Sequence, residues 1–122
     1  MGKKRKTLNE WVENIHNLAK SKGWWDDPRD DLHIMALLHS EVSEAVECFR
    51  DADMMSNLNE NGIYSGNLYL KEDKPEGPSV ELVDTLIRIF DYFGQMEWDL
   101  EEVLEVKHRY NETRPYKHGK LK

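Results

Sequence analysis

Apolar side chains recur every three or four residues along most of the chain, and this spacing predicts four amphipathic helices. The first predicted helix follows a capping box, in which Thr7 is the N-cap and Glu10 stands three residues later. Gly23 is expected to end that helix. The pattern therefore predicts an all-α fold, a four-helix bundle-like domain formed by the whole chain of 122 residues.

The two middle helices are predicted on either side of a break in the pattern. The second helix is expected to begin at Asp30 or Asp31, and its helical pattern fades after Asp53. The third is expected to begin at Ser79, a favourable N-cap that follows Pro78. It is apolar around more than one stripe, so it must be buried on several sides. Because a chain this short has few other elements to cover it, we expect a partner subunit.

The end of the chain carries a fourth helix and a basic tail. Gly94 is expected to break the third helix near its end. Asp99 is a suitable N-cap for the fourth helix, with Glu102 completing a second capping box. Pro115 ends the helix, and residues 115–122 form the basic tail.

Residues 54–78 interrupt the helical pattern with Asn, Gly, Ser, Lys, Glu and Pro. They form either an irregular loop or a small hairpin, in which residues 68–70 pair with residues 63–64 around Ser65-Gly66-Asn67. A loop of this length in a small domain is usually functional or disordered. If the insert is functional, a lid and an oligomer contact are the two candidate roles.

Composition narrows the class of protein. The hydrophobic fraction of 39% is typical of a globular domain rather than a disordered chain. No apolar run approaches the roughly 18 residues needed to cross a bilayer, and no apolar stretch follows the basic start, so we expect neither membrane span nor secretory signal. Cys48 is the single cysteine, which fits a reducing, cytoplasmic location. The net charge of −7 argues against general nucleic-acid binding.

Two pairs of carboxylates stand beside the apolar stripes of the two middle helices. Glu41 and Glu44 are three residues apart, as are Glu81 and Asp84, and this spacing places each pair on one helix face. Carboxylates crowded near a core repel and desolvate one another, and a hard divalent cation relieves both effects. The pattern favours Mg²⁺, with Mn²⁺ possible, and the lack of a Glu-x-x-His pair disfavours iron or zinc. Two ordinary solvated acidic faces are the alternative.

A basic stripe on the fourth helix is a candidate for phosphate binding. Lys107, Asn111 and Arg114 share one face, and Lys120 follows in the tail. They offer a point charge, an amide donor and a guanidinium fork to phosphate oxygens. The alternative is a solvent-facing stripe that pairs with acidic residues of the same helix.

Trp24 and Trp25 are adjacent in the loop after the first helix. Either indole can stack on a nucleobase. In the alternative interpretation, one or both anchor the loop to the core.

Taken in order, these segments resemble the MazG-like, all-α nucleotide pyrophosphohydrolases, particularly the small phage and bacterial members. The resemblance covers roughly residues 8–120 and is carried by Glu41-Val-Ser-Glu44, by Lys74 to Asp91 with its Glu81-Leu-Val-Asp84, and by Lys107 to Lys120. It implies a helical bundle that forms a homodimer or homotetramer. It also implies hydrolysis of a nucleoside triphosphate, (d)NTP, to the monophosphate and pyrophosphate.

The resemblance also implies residue roles. The Mg²⁺ ligands would be Glu41, Glu44, Glu81 and Asp84, the phosphate-binding residues Lys107, Asn111, Arg114 and Lys120, and the base-binding residues Trp24 and Trp25. Many members begin the first motif with adjacent glutamates, whereas this chain has Ser40. Besides Glu41 and Glu44, Glu47 is then one candidate for activating water, and the metal itself is another. The long insert at residues 54–78 is a second departure from the compact members.

Two other functions remain open at the level of sequence. The chain is either a non-catalytic helical interaction module, with the broad apolar surface as its interface, or a dUTP-specific diphosphatase of the same helical group. Neither the base nor the sugar of a substrate follows from the residues.

Overall fold

The computed structural model describes residues 4–51 and 65–119. Within these ranges the chain forms four α-helices and two short strands: α1 (Leu8–Ser21), α2 (Asp31–Arg50), β1 (Tyr69–Lys71), β2 (Lys74–Glu76), α3 (Pro78–Met96) and α4 (Leu100–Glu112). The predicted all-α class with four helices is therefore confirmed. None of the described helices is both long and apolar enough to cross a membrane.

The chain divides into two compact units, which are described separately below. The first unit comprises Met1–Lys22 and Phe90–Lys122, and the second comprises Gly23–Ile89. Helix α3 thus contributes its first part to the second unit and its last part to the first. That residues 1–122 act as one domain stays a prediction.

The starts of α1, α2 and α4 follow the predicted caps. The Thr7 hydroxyl accepts the Glu10 amide N–H at 3.1 Å, and the Glu10 carboxylate accepts the Thr7 N–H at 2.8 Å. Asp99 accepts the Glu102 N–H at 3.0 Å, and Asp30 caps α2 through its side chain. Each cap satisfies backbone donors that the first helical turn leaves without partners.

In the first unit, polar contacts join α1 to the helices that follow it. The Asn9 side-chain amide donates to Asp99 at 2.9 Å and accepts the Glu101 N–H at 3.2 Å. His16 is buried, with 8% exposed, and its Nδ1 lies 2.7 Å from the Asp91 carboxylate. These bonds fix α1 against both α4 and the end of α3.

The prediction that Gly94 breaks the third helix is wrong, because α3 continues through it to Met96. A Cβ atom built on Gly94 would lie only 2.5 Å from the Cβ of His16. Glycine therefore stands at this position because α1 packs too closely for any side chain. The helix ends where Glu97 adopts a left-handed φ of 57°.

In the second unit, α3 begins two residues earlier than predicted, since an N-cap at Ser79 would make Val80 its first helical residue. Pro78 is its first residue, so Ser79 is helical rather than the N-cap. The Gly77 carbonyl accepts the N–H groups of Val80 and Glu81 at 3.1 and 3.2 Å. Proline suits this position because its φ is already helical and its missing N–H would have no helical partner.

A hairpin is present in the insert, but its register differs from the predicted one. Strand β1 pairs antiparallel with β2, so that Leu70 stands opposite Pro75. The turn is Glu72-Asp73, whose φ values of 51° and 68° are both left-handed. Two such residues characterise the tight turn that suits the twist of a hairpin, although glycine or asparagine is usual there.

The segment predicted to form the hairpin turn has another structure. Ser65–Asn67 forms a 3-10 turn, and a Cβ on Gly66 would lie 2.3 Å from that of Ser79 on α3. Residues 63–64, the predicted first strand, lie outside the described residues. Pro75 lies on an edge strand, which tolerates proline where its missing N–H would face away from the partner strand.

The core is small relative to the apolar surface. Its buried apolar side chains are Val12 in the first unit and Ile34, Ala45, Cys48 and Tyr69 in the second. In the part of the chain that the structure describes, no side chain is less than 2% exposed. Large apolar side chains on all four helices are about half exposed, among them Leu18, Val46, Phe49, Leu82, Leu86, Val103 and Leu104.

We expect Gly94→Ala to lower the free energy of unfolding by about 1 to 3 kcal/mol, because the new methyl group overlaps His16. Helix propensity alone predicts the opposite sign, a gain of about 1 kcal/mol. Urea unfolding followed by circular dichroism measures the change. Gln95→Ala, at the neighbouring exposed position, is the control and should change little. A stabilised Gly94→Ala protein would contradict the close packing of α1 on α3.

Candidate metal centre

Glu41 lies in the buried stripe of α2. The buried residues of this helix are Ile34, Glu41, Ala45 and Cys48, which share one face at spacings of seven, four and three. A carboxylate among apolar side chains requires a cation or hydrogen-bond donors, since burial of its charge is otherwise unfavourable.

Arg88 of α3 supplies that cation. Its Nε donates to Oε1 of Glu41 at 2.5 Å, across 47 positions of sequence. The two side chains are 27% and 12% exposed, so water screens the pair only in part. This ion pair joins α2 to α3 beside the two acidic motifs.

Three of the four predicted ligands converge at the same place. Glu41, Glu44 and Glu81 each offer a carboxylate oxygen, and these oxygens all lie within 4.8 Å of one another. Opposite ligands of an octahedral Mg²⁺ stand about 4.2 Å apart. A small movement of the side chains would therefore bring the three oxygens to the distances between ligands of one Mg²⁺. Asp84 lies outside this set of three. Hard carboxylate oxygens match Mg²⁺ or Mn²⁺ rather than softer metals.

The cluster carries more negative charge than its surroundings accommodate. Burial raises the pKa of Glu81, and the nearby charges of Asp84 and Glu44 raise it further. Burial also raises the pKa of Asp84, and the charge of Glu41 raises it further, whereas the charge of Arg88 lowers it. A divalent cation would relieve this repulsion, so the charge and chemistry of the residues fit the predicted metal.

A depression of about 470 Å³ opens beside the cluster. Its lining residues are Glu44, Glu47, Cys48, Asp51 and Glu81. Glu47 thus shares a surface with two of the candidate ligands, where a carboxylate can act on bound water. Burial raises the pKa of the Cys48 thiol, which keeps it protonated and unsuited to nucleophilic attack.

The predicted phosphate-binding residues belong to the first unit. Tyr110 organises two of them, since Lys107 Nζ lies 5.1 Å and the Arg114 guanidinium 5.7 Å from the centre of its ring. Asn111 is partly buried on the same helix, and Lys120 lies outside the described residues. The two cations therefore share contact with one aromatic ring.

Trp24, a candidate for base binding, already carries two guanidinium groups. Arg88 lies 4.7 Å and Arg29 5.1 Å from the centre of its ring. Arg29 Nε also donates to the Trp24 carbonyl at 2.9 Å. The indole is 42% exposed, whereas Trp25 is partly buried. Arg88 therefore contacts both the carboxylate cluster and this tryptophan.

The sequence interpretation did not assign a role to Arg88 or Asp51. The spacing of Arg88 points to the site, because it follows Asp84 by four residues and Glu81 by seven and so lies on the same face of α3. Its partner on α2 could not be inferred from spacing. Asp51 carried no signal, since it is the residue that ends α2.

Comparisons of the chain with protein-family models, curated proteins and solved structures find no match. Function is therefore inferred from the carboxylate cluster and the basic residues themselves.

Because the pKa of Glu81 is raised in the fold, its charged form destabilises the protein above that pKa, and protonation removes the penalty as the pH falls. Glu81→Gln should therefore raise the melting temperature at about pH 7 without metal, and the gain should vanish near pH 4, where unfolded glutamate also protonates. Thermal unfolding in a chelating buffer measures this.

Glu13→Gln on the exposed face of α1 is the matched control and should shift the melting temperature little at either pH. A Glu81→Gln protein less stable than the parent at neutral pH would contradict the crowding of carboxylates.

Proposed function

We propose that this protein is a Mg²⁺-dependent nucleoside triphosphate pyrophosphohydrolase of the MazG-like type, which cleaves (d)NTP to (d)NMP and pyrophosphate. One observation carries the proposal: the convergence of Glu41, Glu44 and Glu81 on a shared position, from the two helices that bear the acidic motifs. A structural role does not require three carboxylates so close together, since their repulsion lowers stability.

Glu41, Glu44 and Glu81 would hold the metal, with Asp84 adjacent to them. Mg²⁺ bound there would supply a Lewis acid that polarises a phosphoryl oxygen and lowers the pKa of water. Glu47, which lines the depression beside Glu44, would accept the proton of an attacking water molecule. Glu47 would then stand in for the adjacent glutamate with which many MazG-like proteins begin the first motif.

Phosphate recognition is assigned to Lys107, Asn111 and Arg114, with Lys120 as a further candidate. The two cations stacked on Tyr110 supply the positive charge that a departing pyrophosphate requires. The amide of Asn111 adds a donor that carries no charge. Trp24 or Trp25 would bind the base by stacking. A nucleotide substrate of this kind implies a cytoplasmic location.

The direct test is product analysis over a panel of NTPs and dNTPs with Mg²⁺ or Mn²⁺. We expect equal amounts of monophosphate and pyrophosphate. Glu44→Gln should reduce the rate at least about 100-fold through loss of one ligand, while the exposed position keeps the fold intact. Glu13→Gln should keep the parent rate.

The same panel separates the alternatives. Turnover confined to dUTP identifies the dUTP-specific diphosphatase. A parent protein with no turnover of any nucleotide and no Mg²⁺-dependent thermal shift identifies the non-catalytic interaction module and contradicts the proposal.

We also propose that the protein forms a homodimer or homotetramer. The half-exposed apolar side chains of α2, α3 and α4 support this, because a lone chain would leave them in water. On α3 the exposed set is Leu82, Val83, Leu86 and Ile87.

Sedimentation velocity should therefore give a mass of two or four chains. Leu86→Asp should shift the protein toward monomer, because it places a charge in the apolar face, whereas Gln95→Asp on the same helix should not. A monomeric parent protein at micromolar concentration would exclude the assembly.

A further inference from the structure

Arg88 joins two features that the proposed function treats separately. Its Nε contacts the Glu41 carboxylate at 2.5 Å, and its guanidinium lies 4.7 Å from the centre of the Trp24 ring. All three residues belong to the second unit. One side chain therefore bridges the candidate metal centre and the loop that carries the candidate base-binding residue.

The electrostatics of this bridge depend on what else Glu41 binds. In the described structure Arg88 is the cation closest to that carboxylate, and it also lowers the pKa of Asp84 against stronger opposing effects. A divalent cation at the cluster would be a second, larger positive charge against the same carboxylate. Two cations a few ångströms apart repel each other strongly when water screens them only in part.

Arg88 has an alternative partner when its bond to Glu41 weakens. The Trp24 ring already lies under its guanidinium, and a cation is attracted to the face of an indole. The Arg88 guanidinium can therefore stay in contact with the Trp24 ring after it leaves Glu41. Any factor that weakens the ion pair of Arg88 with Glu41 therefore favours its contact with Trp24, and the reverse also holds.

We propose that Arg88 is a positioning residue: it is a built-in counter-ion of Glu41 that competes with the divalent cation and couples metal loading to the Trp24 loop. The inference rests on the metal centre of the proposed function but does not require hydrolysis. Coupling of this kind is reciprocal, so changes at Trp24 also alter metal affinity.

Three variants separate the charge of Arg88 from its shape. Arg88→Met removes the competing charge and keeps an unbranched side chain, so Mg²⁺ should bind about tenfold more tightly. Arg88→Lys keeps the charge, so its affinity should stay within about threefold of the parent. Arg109→Met is the matched control, because Arg109 pairs with Glu105 of α4 rather than with Glu41, and its affinity should not change. Isothermal titration calorimetry with Mg²⁺ measures all four proteins.

Tryptophan fluorescence distinguishes the proposed role from a merely structural one. If Arg88 only stabilised the fold, Mg²⁺ would not change the emission of Trp24. Saturating Mg²⁺ should change the emission of the parent protein, because the position of Arg88 on the indole shifts. The change should be absent in Trp24→Phe, and absent in Arg88→Met although that variant still binds metal. If Arg88→Met does not fold, the parent, Arg88→Lys and Trp24→Phe carry the test.

The inference is overturned if Arg88→Met binds Mg²⁺ no more tightly than the parent, or if Mg²⁺ binds without changing the emission of Trp24. A parent protein that binds no Mg²⁺ overturns it as well. Pyrophosphate release, measured in parallel on the parent, separates the two ideas. If the parent hydrolyses nucleotides but the Arg88 variants bind Mg²⁺ like the parent, the proposed hydrolase stands and the proposed coupling is excluded. If the Arg88 variants change Mg²⁺ binding but the parent hydrolyses no nucleotide, the coupling stands and the hydrolase is excluded.

Discussion

The ion pair between Arg88 and Glu41 is the interaction on which the second unit most depends. It places opposite charges at the point where α2 and α3 bring their carboxylates together. Removing one partner of a fully buried pair costs about 3 to 5 kcal/mol, and less is expected here because Arg88 is 27% exposed. Without this cation, the buried stripe of α2 would present an uncompensated carboxylate to α3.

The remaining carboxylates of the cluster lower the stability of the fold. Glu44, Glu81 and Asp84 stay close together, and one guanidinium does not neutralise them all. A sequence selected for stability alone would not keep this arrangement, since one neutral substitution would relieve the repulsion. An arrangement that lowers stability without a compensating local interaction is characteristic of functional sites.

Apolar exposure gives a second constraint. Among the described residues the buried apolar set is small, while all four helices present half-exposed leucine, valine or phenylalanine side chains to water. The chain therefore has two unmet requirements, positive charge at the acidic cluster and cover for its apolar faces. A metal ion and a second copy of the chain would meet them independently.

The sequence predicted the features that local physics determines. Thr7, Asp30 and Asp99 cap their helices because a cap depends on residues only two or three positions away. The spacing of the acidic motifs likewise identified three residues that do converge. Features set by distant parts of the chain were missed: Gly94 lies inside α3 where His16 leaves no room for a side chain, and the partner of Arg88 is 47 residues away.

The hairpin shows a different limit. Its turn, Glu72-Asp73, uses two left-handed residues without the glycine or asparagine that normally indicates such a turn. Conventional signals favoured Ser65-Gly66-Asn67 instead, where Gly66 serves close packing on Ser79. A glycine can thus reflect either a turn or a close approach, and only the structure distinguishes them.

The central claim is that the glutamates of α2 and α3 hold a divalent cation. Electron paramagnetic resonance of Mn²⁺ tests this most directly, because protein-bound and free ions give different signals. The account predicts tight Mn²⁺ binding by the parent protein, competition by Mg²⁺, and loss of the bound ion in the Glu44→Gln/Glu81→Gln double variant. Equal Mn²⁺ binding by the parent and the double variant would contradict it.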